Sequence, residues 1–366
     1  MKSQLTIDAR WLVGGIGTYT RELLKGLSKP ESGFGVHAIT REQHRGTVEP
    51  WCARVTVVNT PIYTVREQWD IPWAASGTEL LHVPHYNVPL LLRAPLVVTI
   101  HDVIHLSDPD SRASFKTWAY ARPVLSAAVR KAAHIITDSE YSKSQIIKHL
   151  RVPASKVSAI YCGVNGEFSP MGKDKAFDVV SAALRINEPY LLFVGNLKRH
   201  KNVSTLLKAF ALLRNRREIP QRLVLLGDDA HGRRELMIQS EQLGISERVA
   251  FVPRIGQEFL PKVYAAADVL VQPSRIEGFG LPVLEAMACG TPVVCSRAAS
   301  LPEVGGEAAR YFDANSFEEL ADAIEQVLDS SGLQERMRSL GLKRAARFTW
   351  HDAVTKHVEV YRAVLN

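Results

Sequence analysis

Glu277 and Glu285 stand with seven residues between them in the stretch Ser274-Arg275-Ile276-Glu277-Gly278-Phe279-Gly280-Leu281-Pro282-Val283-Leu284-Glu285. The stretch follows an apolar run and opens a short helix that Gly290 stops. Proline suits the first turn of a helix, where its missing N–H costs nothing and its fixed φ fits, so Pro282 marks the start. The amides of Phe279, Gly280 and Leu281 then lie at an open helix N-terminus, which carries roughly half a positive charge. Glycine lets backbone come close to a ligand, and such an end suits an anion such as a diphosphate. The two carboxylates are not spaced as the acid and base of a glycoside hydrolase. Eight helical residues span about 12 Å, whereas hydrolase pairs sit about 5–9.5 Å apart. The spacing suits groups touching two parts of one extended ligand.

Other residues could carry chemistry. Gly14-Gly15-Ile16-Gly17 follows a first strand and opens a helix. It is no complete dinucleotide fingerprint, because the third glycine would fall at Thr20, and no P-loop, because it lacks a Gly-Lys-Ser/Thr ending. Ile100-His101-Asp102 ends an apolar strand, the place where open α/β sheets bind ligands. Asp108-Pro109-Asp110 matches the bare DxD pattern by which some enzymes hold a divalent metal, but so short a pattern arises by chance and here includes a proline. Cys52, Cys162, Cys289 and Cys295 are scattered without a CxxC pair, which reads as reduced, buried thiols. No metal site is expected.

The elements around these residues follow one rhythm. Short β-branched runs alternate with amphipathic stretches throughout, the pattern of parallel α/β domains. Strands are expected at 5–7, 54–58, 80–83, 96–100 and 134–137, with helices at 17–27, 65–75, 115–133 and 142–150. Gly163, Gly166, Pro170, Gly172 and the charged Lys173-Asp174-Lys175 interrupt the rhythm, which places the interdomain linker at 163–185. It restarts at Tyr190-Leu191-Leu192-Phe193-Val194-Gly195, with further strands at 222–226, 249–252, 269–272 and 292–295. A final amphipathic helix begins at Phe348-Thr349-Trp350-His351 and spaces Val354, Val358, Tyr361 and Val364 for burial. The result is two domains, 1–170 and 186–349, as expected for 366 residues.

Composition sets the class. Hydrophobic residues make up 46% and charged residues 23%, as in a globular protein rather than a disordered one. No apolar run reaches the ~18–20 residues that cross a bilayer, and no signal-like stretch opens the chain, so a cytoplasmic protein is expected. The net charge of +7 is uneven: residues 1–187 carry 22 Lys/Arg against 16 Asp/Glu, and residues 188–366 carry 23 against 22. The basic first half suits an anionic partner.

Glu277 and Glu285 within the Glu-Gly-Phe-Gly-Leu-Pro context resemble the E-x7-E motif of family 4 retaining glycosyltransferases of GT-B fold. The resemblance implies two Rossmann-like domains facing across a cleft, with the helix 350–366 returning to the first. It implies that Glu277 contacts the transferred sugar, that the amides of Gly278, Phe279, Gly280 and Leu281 hold the diphosphate, and that Glu285 binds the nucleotide ribose. Val194-Gly195-Asn196-Leu197-Lys198-Arg199-His200-Lys201-Asn202 resembles the family's basic donor-phosphate segment. Lys201 matches the family lysine, whereas Asn196 stands where many members carry arginine, leaving Lys198 or Arg199 as substitutes. The resemblance further assigns Gly15 to the donor phosphate, His101 to the donor sugar or acceptor, and His85 and Tyr86 to an acceptor loop.

The family likeness leads one to expect a metal-independent, retaining hexosyltransferase without a cofactor. Its donor, a substrate, would be GDP-mannose or a UDP-sugar. Relatives alike at Asp8–Arg10 and 277–285 are bacterial polysaccharide mannosyltransferases, which makes mannose the lead. Its acceptor would be a glycan or lipid-linked sugar, with no nucleic acid partner. Separately, the basic balance of the first domain and the amphipathic segment with Arg112, Phe115, Lys116, Trp118, Tyr120 and Arg122 lead one to expect weak contact with an anionic inner membrane face. A sugar phosphorylase or a non-catalytic glycosyltransferase-like partner on the same scaffold are the rival readings.

Overall fold

The computed structural model describes residues 3–107 and 115–366, with side chains given outside 108–121. Asp108, Asp110 and Arg112 therefore lie outside the described residues, as do the side chains of Phe115, Lys116, Trp118 and Tyr120. The chain divides into two units, 1–163 with 349–366 and 164–348.

The first unit carries seven parallel strands: β1 Ser3–Asp8, β2 Phe34–Thr40, β3 Arg54–Val57, β4 Leu80–Val83, β5 Leu96–Thr99, β6 His134–Thr137 and β7 Val157–Ala159. Their order is β3-β2-β1-β4-β5-β6-β7. The second carries six: β8 Tyr190–Val194, β9 Arg222–Leu226, β10 Val249–Val252, β11 Val269–Gln272, β12 Val293–Ser296 and β13 Ala309–Phe312, in the order β10-β9-β8-β11-β12-β13. Strands buried on both faces read as continuous apolar runs, and β8 is buried at every position. In each sheet the order reverses once, between β1 and β4 and between β8 and β11. These are topological switch points, where the crevice beyond the strand ends takes ligands.

Sequence periodicity leaves β2, β7 and β13 unassigned. In β2 a glycine and a histidine break the apolar run. The buried His37 is satisfied from both sides, by Thr6 Oγ1 at 3.1 Å and Thr56 Oγ1 at 2.9 Å, which is how an inner strand tolerates it. The expected linker at 163–185 is also corrected. The units change at 163/164, and Lys173–Leu184 is a helix of the second unit that buries Ala176 and Val180. Its charged start is an exposed first turn rather than a solvated connection.

Serine and threonine caps start several helices at the expected places. Ser139 Oγ accepts from the Ser142 amide at the head of Glu140–Leu150, and Thr349 Oγ1 accepts from the Asp352 amide at the head of Trp350–Leu365. The latter helix belongs to the first unit. It buries Val354, Val358 and Tyr361, and also His357, which periodicity did not single out. Tyr361 OH meets His82 Nδ1 at 2.7 Å, His82 Nε2 meets Thr99 Oγ1 at 2.8 Å, and His357 Nε2 meets Tyr19 OH at 2.6 Å. Burial holds His82 and His357 below the ordinary imidazole value, the latter at about 4, so both are neutral hydrogen-bonding groups.

This polar seam ties the helix to the sheet. Tyr361→Phe leaves His82 Nδ1 buried without its partner, a loss of about 1–3 kcal/mol. The expected outcome is a lower denaturant midpoint at unchanged slope; an unchanged midpoint would show that the seam does not hold the helix.

Candidate functional site

The second unit builds its site at the switch point. Lys201 lies in the connection after β8 and Glu277 in the connection after β11, the two strands at which the order reverses. Lys201 Nζ donates to Glu277 Oε2 at 2.6 Å. The other oxygen, Oε1, accepts from Gln272 Nε2 at 2.8 Å and Ser274 Oγ at 2.7 Å. Burial works against the charge, but Lys201 and these two donors hold the Glu277 carboxyl below its ordinary range. Glu277 is thus a fixed, buried carboxylate.

Backbone anchors fix the surrounding loops. Asn202 adopts a left-handed φ of 58°, and its Nδ2 donates to the carbonyls of Pro273 at 3.0 Å and Ala314 at 2.8 Å. The Arg275 amide donates to His200 O at 2.9 Å, joining the loops that carry the ion pair. The Ser300 hydroxyl reaches the carbonyls of Glu277 and Phe279 at 3.0 and 2.8 Å. Gly280 caps the helix Leu281–Ala288 at φ 113°, a conformation that favours glycine, and an added Cβ would meet Leu301 Cδ2 at 2.9 Å. At the head of this helix Pro282 has no N–H, and the Val283 and Leu284 amides both donate to the Gly280 carbonyl, at 3.0 and 3.3 Å. Gly278, Phe279, Gly280 and Leu281 thus form the connection from Glu277 into a helix N-terminus beside Lys201, an arrangement that attracts an anion.

Glu285, on that helix, has different chemistry. It is buried and accepts from Tyr264 OH at 2.7 Å. Among the described residues no cation pairs with it. Burial pushes its pKa up to about 7, against the pull of the Tyr264 hydroxyl. The two glutamates of the motif therefore differ in charge state near neutrality, because only one is matched by a cation.

The remaining sequence candidates fall in several places. Lys198 is exposed, and Arg199 is paired with Glu235 at 3.3 Å on the surface. Gly15 lies in the exposed first turn of the helix Gly14–Leu27. Gly17 has a steric reason, since an added Cβ would sit 2.2 Å from the Leu12 carbonyl carbon. His101 lies after β5 in the first unit. Its Nδ1 faces Asp138 Oδ2 at 2.5 Å and its Nε2 faces the Pro84 carbonyl at 3.1 Å. Burial disfavours the charged ring, yet Asp138 and the Pro84 carbonyl raise its pKa. Both partners accept, so only the imidazolium donates to each. Gln272, Tyr264, Ser300 and Asp138 carry no motif signal, and Asn202 closes the basic segment without a role assigned to it; only sheet order brings them to their partners. Among the described residues no group of three or more His, Cys, Asp or Glu is placed to hold a metal ion.

Two parallel α/β units, the second with a carboxylate, a lysine and a helix N-terminus at its switch point, define a two-domain, Rossmann-like class of protein, and the comparisons with known proteins narrow it to a family. Residues 13–168 match the family model Glycosyltransferase Family 4, and residues 174–344 match Glycosyl transferases group 1. The O-antigen chain mannosyltransferase B of Escherichia coli is 31% identical over 77% of this chain and 74% of its own. A D-inositol 3-phosphate glycosyltransferase of Corynebacterium diphtheriae is 31% identical over 74% of this chain and 66% of its own. Among solved structures, Anabaena HepE in complex with UDP and glucose has a TM-score of 0.81 at 19% identity, covering 99% of this chain and 100% of its own. That likeness gives the fold, of the GT-B class. The chain belongs to the family 4 glycosyltransferases.

The charge state of Glu285 has a measurable consequence. A carboxyl raised from 4.5 to about 7 on folding carries no penalty below pH 4.5, an increasing one between the two values, and a constant one above. That penalty is on the order of 3 kcal/mol. Glu285→Gln should therefore match the parent chain in melting temperature near pH 4.5 and exceed it increasingly towards pH 8. A constant difference across that range would place Glu285 in an ordinary titration.

Proposed function

We propose that the chain transfers a hexose from a nucleotide sugar to a glycan or lipid-linked acceptor in cell-surface polysaccharide assembly, with retention of configuration and without a metal. The observation that carries the reading is the ion pair of the partly exposed Lys201 with the buried Glu277, beside the Leu281–Ala288 helix N-terminus. Mannose from GDP-mannose is the first candidate, supported by the name of the Escherichia coli relative. The UDP and glucose in the Anabaena structure support a UDP-sugar as the other.

In this reading the donor diphosphate lies against the amides of 278–281 and the Lys201 ammonium, which has protons beyond the one given to Glu277. Lys198 supplies further positive charge from its exposed position. The bond from the anomeric carbon to the phosphate oxygen breaks, and the acceptor oxygen bonds to the same face of that carbon. The acceptor proton passes to the departing diphosphate. Fixed donors stabilise that leaving charge, a task that needs no metal when they are in place beforehand. Glu277 orients the sugar, and Glu285 accepts from the ribose hydroxyls. Gly15 and His101 are assigned to the donor phosphate and to the sugar or acceptor by family likeness.

Glu277→Ala should abolish transfer while nucleotide affinity stays within a few-fold, and Glu285→Ala should weaken nucleotide binding by about tenfold, the loss of one good hydrogen-bonding contact. Thermal shift with GDP, UDP and ADP and turnover with their sugars, each with and without EDTA, read both. Equal loss of nucleotide binding in the two variants refutes the division of roles. Activity lost in EDTA and restored by Mn²⁺ or Mg²⁺ refutes metal independence.

We also propose that the first unit makes weak, reversible contact with an anionic membrane, from the cytoplasmic side. Its basic balance supports this, together with Val65, Trp69 and Trp73, which are spaced as one helical face and are 74%, 60% and 72% exposed. Tryptophan favours the membrane–water interface, and each nearby Lys or Arg adds about 1 kcal/mol at an anionic leaflet. Cosedimentation with anionic vesicles at low salt, lost in Trp69→Ser/Trp73→Ser, is expected. Binding indifferent to lipid charge, or none at all, refutes it.

A further inference from the structure

The first unit has its own switch point, between β1 and β4, and it is built around a buried charge lattice. Arg10 follows β1 and is 2% exposed. Its Nε and Nη2 donate to Asp8 Oδ1 and Oδ2 at 2.8 and 2.7 Å, and its Nη1 pairs with Glu67 Oε1 at 2.9 Å. The second Glu67 oxygen accepts from the Tyr63 amide at 3.1 Å and from Asn87 Nδ2. One chain of charges therefore joins the connections after β1, β3 and β4. Arg10 is buried, and each of its three nitrogens is directed at a carboxylate or the Thr60 carbonyl, so the lattice holds the loops together.

Each of these three connections carries an aromatic side chain next to a lattice member. Trp11 follows Arg10, Tyr63 gives its amide to Glu67, and Tyr86 lies between His85 and Asn87. The rings meet: Trp11 and Tyr63 have centroids 6.3 Å apart at 71°, and Tyr63 and Tyr86 lie 6.0 Å apart at 39°. Tyr63 is 42% exposed, while Trp11 and Tyr86 are half-buried. Tyr63 also holds φ at 69°, left-handed backbone that a bulky residue avoids, at a cost of about 1–3 kcal/mol. The lattice maintains an unfavourable conformation whose product is an exposed ring.

We propose that Trp11, Tyr63 and Tyr86 form a platform that stacks a pyranose ring of the acceptor glycan. The identity of the ligand as a sugar rests on the proposed glycosyl transfer. Trp11 stands edge-on to Tyr63 at 71° and Tyr86 is tilted from it by 39°, forming an open corner rather than the parallel slot that grips a flat nucleobase. A puckered pyranose presents C–H groups on two sides, and the electron-rich aromatic faces attract them. The Tyr63 and Tyr86 hydroxyls, 3.5 Å apart, meet the sugar hydroxyls at the corner's edge.

Tyr63→Gly tests this well, because it removes the ring and relieves the positive φ, so loss of fold is not the expected confounder. Trp11→Leu is the second variant. Saturation-transfer NMR on the full chain with methyl α-D-mannopyranoside and methyl α-D-glucopyranoside reads the platform, and thermal shift with GDP and UDP reads the donor site. The expected result is transfer from aromatic protons to the pyranose C–H protons in the parent chain. Roughly tenfold weaker binding is expected in either variant, the size of one aromatic contact, with nucleotide stabilisation unchanged. Glycoside binding that survives both substitutions, or that the parent chain does not show, overturns the platform. Nucleotide stabilisation lost together with glycoside binding overturns it in favour of base stacking. A parent chain stabilised by no nucleotide would instead defeat the glycosyl-transfer reading, whatever the NMR shows.

Discussion

A carboxylate taken out of water has to be met by a cation and by hydrogen-bond donors, and the second unit is arranged around meeting that demand at Glu277. An unmatched buried charge costs several kcal/mol in practice. Lys201, Gln272 and Ser274 answer it from the connection after β8, the end of β11 and the segment following it. Asn202 and Ser300 then hold those segments in register through their carbonyls. The position of the Leu281–Ala288 helix is set in turn, because Glu277 and the helix share one short connection. The lysine that compensates the Glu277 charge thus reaches across to the connection that leads into that helix.

Both units use the same solution with opposite emphasis. At each switch point a cation is matched by buried carboxylate, Arg10 by Asp8 at the end of its own strand and by Glu67 after β3, Lys201 by Glu277 after β11. In the second unit Lys201 remains partly accessible, whereas in the first Arg10 is sealed and what reaches solvent are aromatic rings. One edge is therefore suited to charge and the other to C–H surface. Glu285 adds a contrast within a single unit, since without a cation it stays protonated to about 7 while Glu277 stays ionised.

The elements carried by continuous apolar runs were legible in the sequence, and so was the segment 274–285, because glycine, proline and acid spacing each have one local physical reading. Lys201 was legible only by family likeness. What could not be read were the partners. Gln272 ends the preceding strand and Ser274 opens the informative segment, neither with a signal of its own, and Tyr264 meets Glu285 across 21 positions through sheet order. β2 was hidden because His37 and Gly35 break its run, and satisfied hydrogen bonds, invisible to periodicity, restore it. The charged start of Lys173–Leu184 read as a linker because exposed first turns and linkers share a composition.

The helix Trp350–Leu365 gives the first unit an unusual order of assembly. The second unit is one uninterrupted length, 164–348, while the first needs two pieces that flank it. Domains generally fold in the order in which they leave the ribosome. Here His82 and Tyr19 wait for Tyr361 and His357, which are synthesised only after the whole second unit. The later-made unit can therefore finish first, and during synthesis it is the first unit's unfilled groove that chaperones would have to shield.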